Sequence, residues 1–230
     1  MITLYDLEFA GGARPSPFCW RAKFALAHKG LEWKEIPIGF GEKDKIAFSG
    51  QQLVPVLVDH AHADKAVPDS WEIATWLDQA YPDRKLFAND EARTFARFVQ
   101  NWTNTAVHFG QFPLMVGDMY ARVRPQDRDY FRESRSKRLG TEDFDTFQAA
   151  ARETRLAAFR QSLEPLRQQL KAGPFISGAA PSYPDYIVAG AFLWARTVTP
   201  FALLEASDPI VAWRDRMVDL YGFGERYKAA

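Results

Sequence analysis

At 230 residues the chain has room for one large domain or two small ones, and its 47% hydrophobic and 14% aromatic content supports a packed core and excludes a disordered chain. Its 29 basic residues balance 29 acidic ones, which excludes recruitment of nucleic acid or an anionic membrane by net charge. A single cysteine excludes an internal disulfide framework and a multi-cysteine metal centre, and fits a reducing compartment.

The opening residues MITLYDLEFAGG lack the basic start and long apolar run of a secretory signal, and no stretch reaches the roughly 20 apolar residues of a membrane span. A cytoplasmic protein with no membrane or nucleic-acid partner is expected. Ile2 to Leu7 alternates with period two and predicts a half-buried strand. Ser16-Pro17-Phe18-Cys19-Trp20-Arg21 then leads into a helix that stops at Gly30. Pro17 suits the first turn, so the Ser16 hydroxyl stands at the positive end of the helix. It serves there either as a plain cap or as part of a site for a thiolate or other anion.

Glu32 to Pro37 predicts a second strand, Leu53 to Asp59 a third, and Ala66-Val67 the return of a hairpin. Proline inside the third strand needs explaining, because it cannot donate to a ladder. Either Val54-Pro55 is a cis bond that turns backbone groups toward a ligand, or the strand is an edge with a trans proline. Ser70 to Tyr81 has helical spacing, with Ser70 as the candidate N-cap. Asp69 and Ser70 are a helix cap or a binding pair for a carboxylate and an ammonium group.

Tyr81-Pro82-Asp83-Arg84 breaks the pattern. The expected division is an α/β domain over 1–83, a linker over 84–90 and an all-α domain over 91–230. In the second part, Ala92, Phe95, Ala96, Val99, Trp102, Ala106 and Phe109 make one helical stripe, and Leu156 to Leu170 another that ends at Gly173-Pro174. Further helices are expected near 184–197 and 209–221. Arg122 to Arg138 alternates in charge and predicts a solvated helix or loop. His60 and His62, with Asp59 and Asp64, sit at a hairpin turn without a third ligand of clear spacing, so no metal site is expected. Cys19 occupies an inward-facing position and reads as a packed residue.

A strand followed by Ser-Pro-Phe-x-x-Arg, a Val-Pro-Val-Leu-Val strand and an Asp-Ser-Trp-x-Ile-Ala helix, in that order, resemble the glutathione transferase superfamily. Ser182-Tyr183-Pro184-Asp185 matches its Ser-x-x-Asp capping box, read as structural. The resemblance covers essentially the whole chain and implies a thioredoxin-like N-terminal domain with cis Pro55, an all-helical C-terminal domain and a homodimer. It implies that Ser16 hydrogen-bonds the glutathione sulfur and that Val54 pairs with the cysteinyl backbone. Ser70 then binds the γ-glutamyl carboxylate, Asp69 its ammonium, and Gln52 the glycyl end. Leu53 departs from the pattern by replacing a polar residue. Phe18, Trp102, Phe109, Phe112 and Met115 are the candidates for the wall of a second, hydrophobic site. Asp69 to Ala74 and Tyr130 to Arg135 look most like the bacterial β-etherase and fungal etherase-like transferases. The expected activity is therefore attack of the glutathione thiolate on an aromatic electrophile, including β-aryl ether cleavage. The alternatives are a non-catalytic ligand carrier and a glutathione-dependent thiol reductase.

Overall fold

The computed structural model describes residues 1–227. Four strands, β1 (Ile2–Leu7), β2 (Trp33–Ile38), β3 (Val56–Asp59) and β4 (Lys65–Pro68), form one mixed sheet in the order β2-β1-β3-β4. β2 is parallel to β1, with Ile2 opposite Trp33, and β3 is antiparallel to it, with Ile2 opposite Asp59. A parallel pair cannot be closed by a tight turn, and α1 (Pro17–Lys29) makes the crossover. This helix ends at Gly30, whose φ of 70° belongs to the left-handed region that a Cβ disfavours. β3 begins at Val56, later than the apolar run suggested, because Pro55 has no N–H to give to the ladder.

The sheet unit closes with α2 (Ser70–Ala80), and its connection to the helical unit is not loose. The Asp78 carboxylate accepts hydrogen bonds from the backbone N–H of Leu86 (2.8 Å) and Phe87 (2.9 Å), both buried. From α3 (Asp90–Trp102) onward the described residues form helices and turns, with one isolated bridge between Phe175 and Gly178. Asn89 caps α3 through the N–H of Ala92 at 2.8 Å. After α3 the chain widens into a π-helical turn, Thr103–His108, and then continues as α4 (Phe109–Gln111). The buried face runs through Ala96, Val99, Thr103, Val107 and His108, so the expected stripe is displaced and Phe95 is exposed. Next come α5 (Val116–Arg122), α6 (Arg128–Leu139), α7 (Phe144–Ser162) and α8 (Glu164–Ala172). The single helix expected through Leu170 is two, because Pro165 starts α8.

α9 (Tyr183–Val198) is buried along nearly its whole length and is the post against which both units lean; α10 (Pro209–Asp219) and α11 (Phe223–Arg226) follow. Its capping box forms, and the buried Asp185 carboxylate also accepts from the N–H of Ile176 (2.7 Å) and Ser177 (3.1 Å). Gly190 lets α1 approach closely: a Cβ there would lie 2.5 Å from the Pro17 carbonyl oxygen. Tyr183, at the other end, donates its hydroxyl to the Ser70 carbonyl at 2.7 Å. The fold is thioredoxin-like in its first part and all-helical in its second, and one helix fixes the starts of both α1 and α2.

Candidate functional site

A cavity of about 470 Å³ opens between the two units. Its volume falls in the range of small-molecule sites, roughly 300–1,000 Å³. Ser16, Phe18, Gln52 and Val54 line one side, and His108, Phe109, Phe112, Met119 and Trp194 the other.

Ser16 caps α1. Its Oγ accepts the Cys19 N–H at 3.2 Å, and the side chain is buried at the cavity wall. Pro17 has no N–H and the Trp20 N–H is bonded to the Ser16 carbonyl at 3.1 Å, so the Phe18 N–H and the helix dipole give the place its positive potential. Cys19 lies one turn in and is fully buried. Burial, then the nearby Asp6, pushes its thiol pKa well above the ordinary value, so it stays protonated at neutral pH. Asp6 forms a buried ion pair with Lys23 at 2.6 Å, beneath the same helix. We expect Cys19 to be unreactive toward an aromatic disulfide reagent in the folded protein, and to give one equivalent of reaction on unfolding. Rapid reaction in the native state would contradict this placement.

Val54 precedes β3 and lies outside its ladder, and the Val54–Pro55 bond is cis. The Pro55 carbonyl accepts from Asp69 N–H at 3.1 Å, which sets the start of α2 beside this turn. Here the structure corrects one assignment. Asp69, not Ser70, is the N-cap, and its Oδ1 accepts from Trp71 N–H at 2.7 Å. Ser70 is the first helical residue and is buried. Asp69 holds a φ of 70°, a conformation that L-residues avoid. Such strain costs about 1–3 kcal/mol and clusters at ligand sites. Neither Asp69 nor Ser70 is part of the cavity lining; they adjoin it through Pro55.

Of the hydrophobic candidates, Phe18, Phe109 and Phe112 reach the cavity and Trp102 and Met115 do not. Met115 is fully buried in the core, and the half-buried Trp102 packs against that core. Met119 takes the place expected of Met115. The π turn Thr103–His108 carries Asn104 and His108, four residues apart, onto the cavity. Asn104 Oδ1 accepts from Arg21 Nη2 at 3.0 Å, and the Arg21 guanidinium lies 4.7 Å over Phe18. Burial lowers the Arg21 pKa to about 10. Burial, then Arg21, lowers that of His108 to about 3, so this imidazole is neutral beside Phe18.

The charge-rich stretch is also more than a solvated face. α6 presents Tyr130, Arg135 and Arg138 to the cavity while Phe131 faces inward. Their signal was the Phe131, Arg135, Arg138 spacing of i, i+4, i+7, hidden by the alternating charges around it.

The cavity wall is held across the two units by Arg124. It pairs with Glu42 at 2.8 Å and with Asp127 at 2.7 Å, and Gly41 N–H donates to Asp127 Oδ1 at 2.8 Å. Hydrogen bonds from Lys45 and from Gly39 N–H, with Arg124, lower the Glu42 pKa from 4.5 to about 2. A depressed carboxylate pKa stabilises the fold fully above the unfolded value and loses that contribution as pH falls toward the folded one. Thermal stability should therefore drop between about pH 5 and pH 2 by a component that Glu42→Gln lacks. Identical acid profiles for both proteins would contradict the clasp.

His60 and His62 serve the hairpin. His62 Nδ1 meets Asp59 Oδ2 at 2.9 Å, His60 Nε2 meets Thr3 Oγ1 at 2.9 Å, and Asp59 also accepts from Trp76 and Tyr81. Among the described residues no group of three or more His, Cys, Asp or Glu side chains is placed to hold a metal ion, and no helix is long and apolar enough to cross a membrane.

Comparison with known proteins agrees with this architecture. The family model for the glutathione S-transferase C-terminal domain matches residues 94–215, and that for the N-terminal domain matches 12–85. Mouse (Mus musculus) glutathione S-transferase omega-1 is 26% identical over 133 residues, 58% of this chain and 51% of that protein. The match thus spans about half the length of this curated relative. A glutathione S-transferase of Ceriporiopsis subvermispora, solved with glutathione, superposes with a TM-score of 0.81 at 20% identity, covering 100% of this chain and 98% of that one. Glutaredoxin 2 of Salmonella typhimurium, also solved with glutathione, gives 0.70 at 18% identity, covering 97% and 96%. At these identities the superpositions speak for the fold alone. The C-terminal family model covers more than half of the chain, and with both domain models matched in order the chain belongs to the glutathione S-transferase family.

Proposed function

We propose that this protein binds glutathione between Ser16, Val54 and the start of α2, and activates its thiol for attack on an aromatic electrophile held in the cavity. The observation that carries the reading is one cavity that joins the capped, positive end of α1 to an aromatic wall from the helical unit. Family membership and neighbours solved with glutathione support the first substrate.

The residues present fit a tripeptide thiol. Ser16 offers a hydroxyl at the helix start, where a negative sulfur is stabilised. Val54 offers backbone outside the ladder to the cysteinyl unit. The Ser70 N–H and hydroxyl at the start of α2 suit a carboxylate, and Asp69, exposed beside them, suits an ammonium group. Gln52, exposed on the lining, offers a polar side chain for the glycyl end, whereas Leu53 brings no polar group. Glutathione supplies the nucleophile; the thiol proton leaves to solvent, a carbon–sulfur bond forms, and the leaving group departs with its electron pair. The protein's part is to hold the sulfur negative and the electrophile close. Phenolate departure from a β-aryl ether is the etherase-like form of this step.

In this division of labour the sheet unit (1–83) holds glutathione, 84–90 joins, and the helical unit (91–230) holds the second substrate. Calorimetry should show millimolar or tighter glutathione binding that Ser70→Ala weakens, and a screen of aryl ethers and haloarenes should show conjugation. No heat at saturating glutathione would end this reading, and binding without turnover would leave a carrier. The proposal includes a homodimer, for which the exposed Phe95 and Phe98 on α3 offer an apolar face. Light scattering should give twice the 26.2 kDa chain mass; a monomer at micromolar concentration would refute it.

A further inference from the structure

The charged residues of the cavity carry one sign. Lys43, Arg135 and Arg138 stand in its wall and no aspartate or glutamate does, in a chain whose charges otherwise balance. Among the described residues none of the three forms an ion pair. Lys43 Nζ donates to the Tyr130 hydroxyl at 3.1 Å, and Arg135 Nη1 to Ser134 Oγ at 2.8 Å.

Aromatic faces hold the two guanidinium groups instead. Arg138 lies 5.0 Å from the Phe109 ring centre and 4.8 Å from that of Phe112. Arg135 lies 5.2 Å from Phe40 and 4.8 Å from Phe131. Stacking fixes the plane of a guanidinium and leaves its N–H edge available for a planar anion. Burial holds the Arg135 pKa below the usual guanidinium range, and the like charge of Arg138 adds to this. A low-dielectric cleft focuses such an uncompensated field. Three cations without a carboxylate, among Phe40, Phe109, Phe112 and Tyr130, form a site with an aromatic floor and a positive edge.

We propose that the second substrate of this cavity is an aryl carboxylate, with its ring among Phe40, Phe109 and Phe112 and its carboxylate on Arg135 and Arg138. The inference rests on the transferase reading for the reaction, but its binding half stands on the cavity alone. It predicts that a neutral aromatic of the same shape is a poorer ligand than the acid. It also assigns α6 a selective role for charge that an apolar wall lacks.

The test uses the whole protein saturated with glutathione, with naphthoate and methyl naphthoate as matched probes in equilibrium dialysis. Wild type should bind the acid at least about ten-fold tighter than the ester, as expected when hydrogen bonds to a charged group are gained. Added salt should erode the preference, because the charges are partly exposed. Arg138→Gln and Arg135→Gln should each lower acid binding about ten-fold and leave ester binding near its wild-type value. Equal binding of acid and ester by wild type, or binding of neither, overturns the proposal even if the variants fail to fold. Glutathione calorimetry on the same proteins separates the two readings. If the arginine variants lose glutathione and keep naphthoate, the cations serve the peptide's own carboxylates and the proposal falls while the transferase reading stands. If wild type gives no glutathione heat yet prefers the acid without it, the transferase reading falls and the anion site stands.

Discussion

Gly190→Ala should destabilise the protein by about 1–3 kcal/mol, the usual cost of overpacking a fixed interior. The added methyl would lie 2.5 Å from the Pro17 carbonyl oxygen and 3.4 Å from Arg21 Cγ. The first contact is with backbone, which cannot swing aside as the end of a side chain can. α9 is buried on nearly all sides, so relief must come from moving α1. Pro17 adjoins Ser16, and displacement of α1 therefore moves the cap that faces the cavity. Loss of thermal stability should be accompanied by weaker glutathione binding. A variant with the wild-type melting temperature would show that α1 and α9 are not packed as described.

Ser16→Ala should lower conjugation about ten- to a hundred-fold, since a hydrogen bond to a charged group contributes roughly 1.5–3 kcal/mol. The loss should be partial, because the backbone N–H groups at the start of α1 remain. The same substitution removes a helix cap, which costs about 0.5–2 kcal/mol of stability. A purely structural role and a chemical one are separated by Ser16→Thr, which keeps the hydroxyl and should recover both properties. Restored stability without restored turnover would leave Ser16 as a cap only. A Cys19→Ala variant that lost conjugation while Ser16→Ala kept it would move the protein toward thiol-reductase chemistry.

Much of the architecture was legible because it rests on local rules. Period-two alternation gave β1, Ser16-Pro17 gave the start of α1, Gly30 gave its end, and Ser182 with Asp185 gave the box that begins α9. Features that depend on neighbours were not legible. Asp69 takes the cap from Ser70 through a positive φ that its own sequence context does not announce. Asn104 and His108, on the π turn Thr103–His108, line the cavity, whereas Trp102 and Met115 pack with the core instead. The apolar stripe read from the sequence runs through Trp102 and Ala106, and which of several helical faces meets the cavity is set by packing against the sheet unit. Arg135 and Arg138 were hidden for a different reason: a charge run reads as solvated until tertiary packing shows which face it turns inward.

The central claim is that the start of α1, with Ser16, holds a glutathione sulfur as its thiolate. The most direct test is an ultraviolet titration of glutathione bound to wild type and to Ser16→Ala, following thiolate absorbance against pH. A free thiol has a pKa of about 8.5. The account predicts a bound value clearly below that in wild type and an upward shift toward it in Ser16→Ala. A bound thiol that titrates at the free value in wild type, or identically in both proteins, would contradict it.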